Sequence, residues 1–439
     1  MNWLNAAAIL LYLVSVLYLF RRFPRYLVLF GMVSALQTWA LVSCAYNDSG
    51  IYNFELFQFT EPTLATARLS LFYLLFNVGF AAVAKWFDGR KLFRRDYQLN
   101  CSSLNLSNAK LLAYVAAMGL GTVLLYTLVI NGIPLLQGID RLAYLNAAGP
   151  LDRFLVGYGF ILAFVLGLTR FKRGRFSVNG IVMFGFCMYA VMVGHKFSFL
   201  IELCVSYFAP IFARHIASCH AFTPFRKKYL AILGTAIIVF LLFAFVGYKS
   251  ELADVDGAGT LLMNRVLAGQ GEVWWSIDGV VTNGSGYDDS HWEEEFTRLV
   301  APERVDGDQV GMRYLMVKML GPQKAHALFD RGYLFTMAYP AILIATFPLL
   351  VALILQIAAG GFFCMLLYYL HCCIIYSHLI RAVVALMIAM PFVTVLSTGN
   401  AFVFLSFGMV IKGLFVVVLE TGLLANAGER IHDELSVAR

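Results

Sequence analysis

Long apolar runs separated by short polar connections fill most of this chain, and a single extended polar stretch interrupts them. A bilayer core takes about 20 apolar residues per helix. On that ruler the runs predict eleven membrane spans, near 2–20, 26–45, 64–87, 110–131, 153–171, 177–194, 197–213, 229–247, 347–370, 382–399 and 400–423. The expected fold is therefore an all-α polytopic membrane protein with one large outer loop containing short helices. Residues 1–248 carry the first eight spans, 249–335 form the loop, 347–427 carry the last three, and 428–439 form a tail. Between loop and ninth span, 336–346 is apolar but short and broken by Pro340, which predicts a re-entrant or interfacial segment capping the outer face.

The basic clusters fix an orientation. Arg21/Arg22/Arg25, Arg90/Lys91/Arg94/Arg95, Arg170/Lys172/Arg173/Arg175, Arg214/Arg226/Lys227/Lys228 and Arg381 fall at every second connection, so those connections are expected to be cytoplasmic. The N-terminus then lies outside, the tail inside, and 249–335 on the outer face. Met1 to Phe20 has no basic residue ahead of its apolar run, and its positive charge follows it, which predicts a retained first helix rather than a cleaved leader.

Composition agrees with this picture. The chain is 60% hydrophobic and only 13% charged, with a mean hydropathy of +0.75, outside the range of soluble domains. A net charge of +7 would suggest nucleic acid, but the basic residues cluster beside apolar runs and no nucleic-acid partner is implied. The eight Cys form neither a disulfide framework nor a zinc pattern, so neither metal nor cofactor is expected.

Candidate chemistry concentrates where the loop meets the bundle. Residues 249–335 hold fourteen of the twenty-six acidic residues and eight Lys or Arg. Outward connections normally carry few cations, yet Arg141, Lys196 and Arg265 come from three of them. A shared anion site explains this, and snorkelling to lipid headgroups or pairing with loop acids is the simpler alternative. Glu202 lies six residues past Lys196 on the seventh span, where a carboxylate can act as general base or hold Lys196, with Arg68 as a second possible partner. Residues 262–275 suggest the start of an amphipathic helix with Arg265 and Glu272 on one face. Trp274 fits stacking on a sugar ring or an aromatic interface belt. His291 beside Glu293–Glu295 fits an acid/base pair or a solvated turn.

The whole-chain plan, the Gly194-His195-Lys196 turn, Asn264-Arg265 opening the loop and Tyr333 to Ala341 before the ninth span together resemble the Wzy-type O-antigen or oligosaccharide repeat-unit polymerases, relatives of the O-antigen ligases. The resemblance implies a GT-C-like, multi-pass enzyme of the bacterial inner membrane with a periplasmic loop. It would take undecaprenyl-diphosphate-linked oligosaccharide as both donor and acceptor, and a chain-length regulator protein as a further partner. Arg265 and Arg141 would hold the diphosphate, with Lys196, Tyr339 and Trp274 as further substrate contacts. Lys196 stands where such proteins often have Arg and lacks the bidentate fork. Glu272, His195, Glu202 and His291, in that order, are the candidates for the base that takes the acceptor proton. A transporter or flippase of the lipid-linked sugar is the rival of a different class, and a ligase differs only in its acceptor.

Overall fold

The structure is a computed structural model that describes residues 3–89, 106–137, 144, 150–169, 178–193, 197–219, 264, 266–283, 292–301, 304–330, 335, 337–376, 378–399, 406–418 and 420. It is almost entirely helical. Helices α1 (Trp3–Arg22), α2 (Leu27–Asn47), α3 (Ala65–Gly89) and α4 (Leu106–Asn131) are followed by α5 (Pro150–Leu168), α6 (Val178–Val193) and α7 (Phe197–Cys219). The polar stretch then contributes α8 (Glu272–Asn283), α9 (Trp292–Val300), α10 (Gly311–Leu320) and α11 (Pro322–Asp330). The short α12 (Ala341–Thr346) leads into α13 (Leu349–Ile375) and α14 (Leu379–Thr398), and an apolar helix, α15, covers Phe407–Val418.

Among the described residues six helices are long and apolar enough to cross a membrane, within α1, α2, α3, α4, α13 and α14, and three shorter apolar helices lie within α5, α6 and α15. Ten of the eleven expected stretches fall on helices. The remaining one, 229–247, lies outside the described residues, and of 400–423 the described helix covers only Phe407–Val418.

Close crossings between helices rest on glycine. A Cβ on Gly79 of α3 would sit 1.9 Å from the Ile357 carbonyl oxygen, and one on Gly360 of α13 would sit 2.0 Å from that of Phe76. The two backbones therefore touch, the packing that small residues permit where helix association depends on van der Waals contact. Gly167 does the same for α5 against α7, with the Tyr207 carbonyl oxygen 2.1 Å from its would-be Cβ. Polar groups inside these apolar helices find partners. Asn179 on α6 donates to the Leu166 carbonyl at 2.6 Å and accepts from the Tyr114 hydroxyl.

Three apolar clusters result. One joins α2, α3, α13 and α14 and includes Phe30, Phe80, Phe363 and Leu386. A second, around Tyr189 and Leu203, holds α4 to α7 together. The third mixes bundle and insert, with Tyr12, Leu41 and Tyr73 packed with Val273, Trp274, Ile277, Leu315 and Ile344. The polar insert is thus continuous with the bundle core rather than tethered beside it.

Between α2 and α3 the chain makes a two-stranded antiparallel hairpin, β1 (Tyr52–Asn53) and β2 (Gln58–Phe59). Its aromatic side chains are exposed, while Asn53 is buried.

Candidate functional site at the insert–bundle junction

The sequence suggests a helix running through 262–275. The structure breaks it: a turn occupies Ala268–Gly271, and α8 begins at Glu272. The cause is a set of side-chain donors on α2. Ser43 Oγ donates to the Ala268 carbonyl at 2.5 Å and Asn47 Nδ2 donates to the same oxygen at 3.1 Å, while the Gly271 N–H donates to Ser43 Oγ at 2.7 Å. A carbonyl bound in this way is withdrawn from the helical ladder. Gly271 must be glycine for the approach, because a Cβ there would lie 2.2 Å from the Cys44 nitrogen.

From Glu272 onward α8 lies against the ends of α2 and α3. Trp274 donates its indole N–H to the Ala65 carbonyl at 2.8 Å and packs its ring at 5.2 Å from that of Phe72. Only 2% of Trp274 is exposed, so it anchors α8 and presents no open ring face to a sugar. Trp275 donates to Asp48 Oδ1 at 3.1 Å. Glu272, equally buried, accepts from Asn53 Nδ2 of the hairpin at 3.2 Å.

Two buried carboxylates organise this junction. Asp48 follows α2 and accepts from Asn5 Nδ2, Thr63 N and Oγ1, Thr66 N and Oγ1, and the Trp275 indole. It ties the start of α1, the end of α2, the start of α3 and α8 into one knot. Asp278, six residues beyond Glu272, receives Arg68 at both oxygens, with Nε to Oδ1 at 2.7 Å. Arg68 therefore pairs with Asp278 and not with Glu202, the partner suggested by sequence. The guanidinium fork matches a carboxylate edge-on, which favours the two-point contact. Burial pushes the Asp278 carboxyl above the ordinary aspartate range, and the Arg68 bonds pull it back only in part.

Farther along the insert, Glu295 on α9 accepts the Gly311 N–H at 2.5 Å, and burial raises its carboxyl against that bond. Asp308 receives Arg313 at 3.0 Å and His326 at 3.4 Å. Lys324 of α11 lies 5.3 Å over the Phe57 ring at the hairpin tip, linking insert and hairpin. The segment entering α12 is held from below. Tyr339, buried, donates its hydroxyl to Gln356 Oε1, and Gln356 Nε2 donates to the Phe72 carbonyl at 3.0 Å. Tyr339 is thus engaged inside the protein and does not offer its hydroxyl to a phosphate.

Of the residues the sequence marks for chemistry, Glu272, Trp274 and Tyr339 come together around this junction. Glu202 stands apart on α7, half-buried, without an ion pair among the described residues. His195, Lys196, Arg141, Arg265 and His291 lie outside the described residues. Sequence reasoning missed Asp48, Asp278, Asn53 and Gln356. The signals for Asp278 and Gln356 were present: one acid inside an otherwise apolar helix, Val273 to Val281, and one amide inside a long apolar run. Among the described residues no group of three or more His, Cys, Asp or Glu could hold a metal ion.

The fold defines a helical protein with helices of membrane-spanning length, carrying a polar insert packed into one end of its bundle. Residues 305–412 match a family of unknown function (DUF6418), a region that runs from the later insert through α14 to α15. No curated protein and no solved structure matches the chain.

Proposed function

We propose that the chain is a membrane glycosyltransferase that polymerises undecaprenyl-diphosphate-linked oligosaccharide repeat units at the outer end of an eleven-span bundle, with 249–335 facing the periplasm. The observation that carries this reading is the fusion of α8 with the ends of α2 and α3. It sets a buried carboxylate, Glu272, on the same short helix as the Arg68–Asp278 pair, under a polar insert large enough to cover a charged head group. Low dielectric at such a junction strengthens the interaction of cations with a departing diphosphate. Glu272, enclosed and held by Asn53 in the free protein, is the group we assign to take the acceptor hydroxyl proton once the hairpin carrying Asn53 moves aside, and Arg265, Arg141 and Lys196 are the cations we assign to the leaving diphosphate. The donor already carries its leaving group, so proton removal and charge stabilisation are the two tasks left to the protein.

The direct test is turnover of a lipid-diphosphate repeat unit by the purified protein in the presence of EDTA. The parent should build a ladder of products, and Glu272→Gln and Arg265→Ala should each slow it by about 100-fold or more. Parental rates in Glu272→Gln would remove the base assignment, and absence of any product from the parent would remove the transfer reading. Deletion of the gene separates the rivals. Surface polysaccharide reduced to single repeats indicates a polymerase, intact but unattached lipid-linked polymer a ligase, and single units accumulating in the cytoplasm a flippase.

A further inference from the structure

At the other end of α2 and α3, about 30 Å from the junction by the rise of a 21-residue helix, a narrow, half-open cleft with a cavity volume of about 30 Å³ lies between the α1–α2 connection, α7 and α13. Arg25, Tyr26 and His371 supply its polar lining, and Leu29, Leu367, Leu370 and Ile374 its apolar lining. Ala209 and Ala213 of α7 leave the space open.

Two of these polar groups, Tyr26 and His371, carry a buried atom without a partner among the described residues. Tyr26 is 3% exposed, yet its hydroxyl has no hydrogen-bond partner among the described residues, and neither has Nδ1 of His371. Natural proteins rarely leave such groups unpaired, because each costs the desolvation of a polar atom. The Arg25 guanidinium lies over the Tyr26 ring and 2.9 Å from Asp88. One ion-pair contact leaves several of its five N–H donors for another acceptor. The surroundings are basic: among the described residues Arg21, Arg22, Lys85, Arg214 and Arg381 flank this end of the bundle, against Asp88 and Glu420.

We propose that this cleft binds a phosphate-bearing anion, supplied by the headgroup of an anionic lipid whose chains run along its apolar wall. Arg25 provides charge, and Tyr26 and His371 provide neutral donors to the phosphate oxygens. The apolar lining is what selects a lipid over a free ion. The site lies at the opposite end of α2 and α3 from the proposed transfer chemistry, so its test does not depend on that chemistry.

The experiment uses the full-length protein in a neutral detergent, with binding followed by native mass spectrometry and by the thermal unfolding midpoint. The probes are phosphatidylglycerol, phosphatidylcholine and inorganic phosphate. Phosphatidylglycerol should bind and raise the midpoint, with the other two showing at least tenfold weaker binding. Tyr26→Phe removes a hydroxyl that has no partner among the described residues, so it should fold with an equal or higher midpoint and bind phosphatidylglycerol about five- to tenfold more weakly. His371→Phe should act in the same direction. Equal binding of the two lipids, or unchanged affinity in Tyr26→Phe, overturns the site. Saturation by inorganic phosphate with no gain from the lipid overturns the lipid source.

Discussion

Arg68 and Asp278, 210 positions apart in sequence, meet at both carboxylate oxygens and fasten the insert to the third helix. The acid is almost fully enclosed, whereas about a third of the arginine side chain faces out, with side-chain exposures of 1% and 32%. Losing the arginine strands a buried charge. Arg68→Ala should therefore destabilise the docked insert by about 2–4 kcal/mol, somewhat below a fully buried pair because of the solvent-facing arginine. Limited proteolysis within 249–335 reads this out. The paired change Arg68→Met with Asp278→Leu should cost less than either single change, and a cost equal to the sum of the two would refute the pairing.

The same aspartate gives a dependence on pH. Burial raises the folded-state carboxyl above its unfolded value, so the native state holds the proton more tightly. Its contribution is then fully present below the unfolded pKa and is lost as pH rises through the folded one. Compared with Asp278→Asn, the parent should lose stability as pH climbs out of the ordinary aspartate range. Matched melts of the two proteins over a pH series check this, and parallel curves would contradict it.

Two glycines on either side of the start of α8 should respond in opposite directions. Gly271→Ala drives a methyl into the α2 backbone at the Cys44 nitrogen and the Ala40 carbonyl, and should cost about 1–3 kcal/mol or more by overpacking. Gly279→Ala sits within α8, has nothing within 4 Å of the new methyl, and should gain about 0.5–1 kcal/mol. Melting temperatures of the two variants measured together would show whether the docking or the helix itself is at stake.

Asp48 should be the least replaceable of the buried acids. Asn5, Thr63, Thr66 and Trp275 all donate to it, and an alanine there leaves those donors facing one another with no acceptor. We expect Asp48→Ala to cost about 3 kcal/mol or more and to lower the yield of folded protein in the membrane. Asp48→Asn should recover part of that loss, since an amide oxygen can accept some of these bonds. A protein with Asp48→Ala that melts like the parent would deny the knot its role.

How far the amino-acid pattern reached depended on the range of the interaction. Apolar runs of span length need no distant partner to be recognised, and α1 to α4, α13 and α14 appear where those runs lie. Arg68 and Asp278 each stand out as a charge in an apolar segment, but nothing local pairs two residues 210 positions apart. The break at Ala268–Gly271 was written in Gly269 and Gly271, yet the force that exploits it comes from Ser43 and Asn47 on another helix. Trp274 and Tyr339 look like ligand contacts in sequence because aromatic and hydroxyl groups serve both recognition and packing, and only their enclosure separates the two uses.

The mixed cluster of Tyr12, Leu41 and Tyr73 with Val273, Trp274 and Ile277 bears on how this protein can be handled. A fragment comprising 249–335 alone would lose the partners that cover its tryptophans, and it should aggregate rather than behave as an independent soluble domain. Antibodies raised against such a fragment should favour the denatured chain over the native one.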